Sequence, residues 1–90
     1  MIKNEEITTD ALEGAGRRFI RAYESRLPPD KIRYAWRVFC EIYIMRKKNG
    51  DDLPAPHWKP SPRRTRTGYG DEIQWVSAVI DEITARRRIL

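Results

Sequence analysis

Six prolines, two adjacent at 28–29 and four between 54 and 62, partition the ninety-residue chain before any other feature is considered. Proline has no backbone N–H to donate, and it pushes the residue before it out of helical geometry. No helix or central strand can therefore run through 54–62, and a helix formed in the first third must stop at "LPPD". Long uninterrupted stretches remain on either side of these two breaks, and their apolar residues recur at helical spacing.

In the first stretch Leu12, Ala15, Phe19, Tyr23 and Leu27 follow one another at intervals of three and four, which lines them along one side of a helix. The expected helix covers about 9–27, entered through Thr8, Thr9 or Asp10, with Asp10 and Glu13 spaced as a capping box. Gly14 and Gly16 each cost up to about 1 kcal/mol relative to alanine, so close approach of another helix is expected there. The second helix, about 30–48, opens with Asp30 as its cap and carries Ile32, Tyr34, Ala35, Trp36, Val38, Phe39, Cys40, Ile42, Tyr43, Ile44 and Met45 around most of its circumference. Such a helix must be covered on more than one side, and homodimerisation through helix 2 is one way to do it. Arg46, Lys47 and Lys48 suit its negative end, and Asn49-Gly50 suits a left-handed exit.

The third helix, about 71–88, starts where Asp71 and Gln74 have capping-box spacing, and it buries Ile73, Val76, Val79, Ile80 and Ile83, with Trp75 widening that face. Trp36, Phe39, Tyr23 and Trp75 read as core aromatics. No stretch alternates as a strand does. The expectation is one all-α domain over residues 1–90: three helices with a long Pro/Arg-rich connector, 50–70, between helices 2 and 3. Connections of that length in a small domain tend to be functional or disordered.

Charge turns attention to that connector. The chain carries 13 Arg against 5 Lys and a net charge of +5, which favours a forked grip on phosphate or carboxylate and an anionic partner. Residues 57–70, "HWKPSPRRTRTGYG", contain no acid except beyond their end, and they interleave Trp58 and Tyr69 with Lys59, Arg63, Arg64 and Arg66. Flat rings for base stacking beside cations for phosphates are what single-stranded nucleic acid exploits. Arg46, Lys47 and Lys48 would extend the same surface, although their position also answers the helix dipole. Arg86, Arg87 and Arg88 have that second role at the end of helix 3, with Glu82 one turn before Arg86. The plainer alternative for the connector is a tether packed over the helices by Leu53, Trp58 and Tyr69, with its arginines in water.

"SPRR", Ser61 to Arg64, resembles the Ser-Pro-basic-basic repeats of some histone tails and other chromatin proteins. The resemblance covers four residues, occurs once, and implies contact with the minor groove of A·T-rich DNA. Helix 2 is a poor candidate for a major-groove reading helix, since such a helix needs a polar outer face and this one is rich in Trp, Phe, Tyr and Ile.

Catalysis, cofactors and metals find little support. Cys40 is the single cysteine and His57 the single histidine, which leaves no disulfide and too few ligands for structural zinc. His57 has no nucleophile or acid at a fixed local spacing, and Asp51-Asp52 read as solvated turn residues. There is no apolar run of signal-peptide or membrane-span length, so a cytoplasmic location is expected. The functional expectation is a small non-enzymatic protein that contacts nucleic acid through the connector. The alternative is an adaptor or inhibitor of the kind encoded by phage and mobile elements, using the same arginines against an acidic protein surface.

Overall fold

The computed structural model describes residues 9–56 and 69–89. Three helices account for most of them: α1 (Thr9–Glu24), α2 (Pro29–Lys48) and α3 (Gly70–Ile89). No strand occurs among the described residues, and none of these helices is long and apolar enough to cross a membrane.

The helix ends follow from backbone chemistry, with two departures from the sequence expectation. First, α1 stops at Glu24, not at Leu27. Arg26 turns into the left-handed region at φ 55. Its N–H bonds the Tyr23 carbonyl at 3.1 Å while that of Leu27 bonds Ala22 at 3.1 Å, the paired closing bonds of a Schellman exit. Pro28, which disfavours helical geometry at Leu27, requires this early exit. Second, the three acids expected at the caps, Asp10, Asp30 and Asp71, all sit inside the first turn. At α2 the cap is Pro28, whose ring has no polar atom to make a side-chain cap bond, and Pro29 in the first turn presets the helical φ. The acids serve the positive end of the helix dipole instead.

The far end of α2 closes as expected. Gly50 takes φ 88, its N–H bonds Lys47 at 3.0 Å, and that of Asp51 reaches the Arg46 carbonyl at 3.1 Å.

The core contains Leu12, Ala15 and Phe19 from α1, Trp36, Phe39, Cys40, Ile42 and Tyr43 from α2, and Trp75, Val76, Val79, Ile80 and Ile83 from α3, closed by Leu53. Leu27 continues the α1 stripe in sequence yet is exposed, because the helix ends before it, and Tyr23, expected in the core, lies in the last turn at the edge of the bundle, partly exposed with its ring against Tyr69. At Gly16, α1 lies close against both of its neighbours. A Cβ there would lie 3.0 Å from Val76 Cγ1 and 3.2 Å from both Ile80 Cδ1 and Phe39 Cε1, whereas one at Gly14 would meet nothing within 4 Å. Close packing, expected at both glycines, occurs at one.

Between α2 and α3 the spacing is set by rings. The Trp75 indole stands edge-on to Tyr43 at 4.8 Å and to Phe39 at 5.3 Å, with Trp36 at 5.9 Å. Helix 2 is thus covered by α1 on one flank and by α3 and Leu53 on another, and most of its remaining apolar side chains, Ile32, Val38, Ile44 and Met45 among them, pack against the same core, whereas Tyr34, expected to be covered with them, stays exposed.

The contacts also give the helix directions. Along α1, Glu13 reaches Thr84, Gly16 faces Val76 and Ile80, and Tyr23 meets Tyr69; Gly16 also faces Phe39 while Phe19 meets Trp36. Helix α1 is therefore antiparallel to both partners, and α2 and α3 run parallel. Parallel neighbours cannot be joined by a tight turn, so the connector has to return along the length of α3.

Candidate nucleic-acid interface

The connector begins with a clamp. The Schellman exit folds Asp51 back over the last turn of α2, where its carboxylate accepts from Arg46 at 3.0 Å and from Arg86 of α3 at 2.8 Å. Arg86 also donates to the Asp52 carbonyl and to Glu82, the latter at 3.2 Å. The Asp51 side chain is only 9% exposed. Burial alone would push its carboxyl up, but the hydrogen bonds and charges of Arg86 and Arg46 outweigh that and hold it below the usual carboxylate range. The Asp51 hydrogen bond is the main reason the Arg86 guanidinium is held even more firmly protonated. Asp51 was expected to be a solvated turn residue and is instead the fastening between two parallel helix ends.

Three residues on, the Pro54 carbonyl accepts two hydrogen bonds, from the Tyr43 hydroxyl at 3.1 Å and from Trp75 Nε1 at 3.0 Å. One backbone oxygen thereby satisfies the polar handles of two core aromatics from different helices. Burial raises the Tyr43 hydroxyl above its ordinary pKa. Pro54, Ala55 and Pro56 then border an open groove together with Asp71, Gln74, Trp75 and Ala78, so by Pro56 the chain has come level with the first turns of α3.

The other flank is held by Tyr69. Its ring lies edge-on to Phe19 at 5.4 Å and to Tyr23 at 5.8 Å, and tilted against Trp36 at 6.3 Å. Its carbonyl accepts from the Ile73 N–H at 2.8 Å, the first bond of α3. Tyr69, expected as a stacking platform for bases, is half-buried, with three protein rings against its own, and anchors the start of α3. Glu72, in that first turn, is buried.

Of the other residues singled out in the sequence, Lys47 and Lys48 are exposed at the end of α2. Arg46 is drawn inward by Asp51, and Arg86 has the Glu82 partner that helical spacing suggested. Trp58, Lys59, Arg63, Arg64 and Arg66 lie outside the described residues, as do the side chains of Arg87 and Arg88. Half of the Asp51 clamp was readable locally: an arginine two places before a helix end and an aspartate just after its left-handed glycine are brought together by the exit itself. Arg86, thirty-five positions away, had no local signal, and neither did the Pro54 carbonyl. Among the described residues, no group of three or more His, Cys, Asp or Glu is placed to hold a metal ion.

Compared with protein-family models, with characterised proteins and with solved structures, the chain finds no match in any of the three.

Proposed function

We propose that this protein is a small non-enzymatic module that binds nucleic acid through the basic, aromatic part of its connector. The observation that carries this reading is a surplus of chain. From the level of Arg86 back to Gly70 is about 24 Å along α3, a distance that extended backbone covers in about seven or eight residues. Residues 51–56 already bring the chain beside Asp71 and Gln74, yet twelve more follow before Tyr69, with Trp58, Lys59, Arg63, Arg64 and Arg66 among them and no acid. Crossing from α2 to α3 does not account for them. Fixing both flanks, at Pro54 and at Tyr69, lowers the entropy that the intervening segment loses on binding. Arg63, Arg64, Arg66 and Lys59 would neutralise phosphates and Trp58 would stack, with Lys47 and Lys48 extending the charge.

Fluorescence anisotropy with labelled oligonucleotides over a salt series tests this. Counterion release predicts a log–log slope of about −0.9 per phosphate contacted on duplex DNA and about −0.7 on a single strand. Replacing Arg63, Arg64 and Arg66 together by alanine should abolish most binding and flatten the slope by about 2–3, with helical circular dichroism unchanged. No oligonucleotide binding at low salt, together with one acidic protein retained from nuclease-treated lysate, would refute the nucleic-acid reading in favour of a protein partner.

A further inference from the structure

The large hydrophobic side chains exposed among the described residues are Tyr23, Leu27 and Tyr34, and all three fall within one turn-and-helix segment at a single end of the bundle. Tyr34 is 67% exposed, on the outward face of α2 with Asp30 and Lys31 one turn before it and Arg37, which is bonded to Glu41, one turn after. Arg26 and Lys31, both exposed, come from the same segment. From Arg21 to Arg37 there are five cations against Glu24 and Asp30. Arg26 occupies the left-handed conformation that the exit of α1 requires. This is also the end where the connector rejoins the fold, because the Tyr69 ring touches both Tyr23 and Trp36.

We infer that this end of the bundle is a second contact surface for single-stranded nucleic acid, with Tyr34 as the platform for an unpaired base and Arg26, Lys31 and Arg33 as its phosphate contacts. The inference rests on the nucleic-acid reading above but not on the connector's arginines. An exposed ring flanked by cations fits an unpaired base with its phosphates, whereas the stacked bases of a duplex offer no open face. A strand leaving the connector near Tyr69 would meet this surface next.

The test measures binding of a labelled oligothymidylate to the intact chain and to Tyr34→Ala, Tyr34→Phe and the connector triple variant, alone and combined, with circular dichroism as the folding control. Tyr34→Ala should weaken binding about 5- to 160-fold, the size of one base–aromatic stack, while Tyr34→Phe keeps it. The triple variant should retain a residual affinity that Tyr34→Ala removes. Photocrosslinking of a bromouridine-substituted strand should map to Tyr34. If the intact chain binds and the triple variant is impaired but Tyr34→Ala is not, this inference falls and the connector reading stands. Loss in Tyr34→Ala with an unaffected triple variant gives the reverse, loss in Tyr34→Phe equal to that in Tyr34→Ala rules out stacking, and no binding by the intact chain overturns both.

Discussion

Replacing Gly14 and Gly16 by alanine, one at a time, separates helix propensity from packing inside a single helix. Both residues lie within α1, so each substitution should return about 0.8–1.0 kcal/mol of helix propensity. At Gly14 nothing opposes that gain, because the new methyl meets no atom within 4 Å. At Gly16 it would sit 3.0 Å from Val76 Cγ1 and 3.2 Å from Ile80 Cδ1 and Phe39 Cε1, where carbon atoms prefer about 3.5–4.0 Å. Ile80 Cδ1 can rotate away. Val76, branched at Cβ and held to one rotamer in a helix, cannot, and the Phe39 ring is wedged among Trp36, Tyr43 and Trp75. Relief therefore requires α1 to retreat by about 0.5 Å from both neighbours, and overpacking of this kind costs about 1–3 kcal/mol. Gly14→Ala should be stabilised by about 1 kcal/mol, and Gly16→Ala should lie about 1–3 kcal/mol below it. Urea unfolding followed by circular dichroism and tryptophan fluorescence reads the difference, and each kcal/mol corresponds to about 4–8 °C in Tm for a domain of this size. Equal stabilisation of the two variants would refute the three-helix contact at Gly16.

Asp51→Asn should cost about 1–3 kcal/mol at neutral pH, since it removes a charged acceptor shared by two arginines. The folded-state pKa of Asp51 is depressed, so its contribution is present above the unfolded value of about 3.9 and is lost as pH falls through the folded one; the gap between wild type and variant should close in acid, and a gap constant from neutral to strongly acidic pH would contradict the clamp. Tyr43→Phe and Trp75→Phe each leave the Pro54 carbonyl one donor, whereas together they leave it none, so the hydrogen-bond part of the double variant's cost should exceed the sum of the singles by about 1 kcal/mol. Strict additivity in a double-mutant cycle would show that the shared acceptor is unimportant. Arg26→Gly should stabilise by about 0.5–1 kcal/mol by relieving the left-handed φ, and a loss in thermal unfolding would place Arg26 in another conformation.

What the amino-acid order determined by itself is what short stretches of backbone decide. Pro28-Pro29 and the four later prolines stop helices by sterics and a missing donor, the apolar spacing names the buried faces, and Gly50 marks the exit from α2. Those are local properties, and they were legible as three helices and a connector. The tertiary structure decided that α2 and α3 run parallel, so that part of the connector is a return path. It distinguished Gly16 from Gly14, turned Tyr69 inward, and joined Asp51 to an arginine thirty-five residues away. Each of these depends on which side chains from distant segments fill one shared volume, and no periodicity within a segment carries that information.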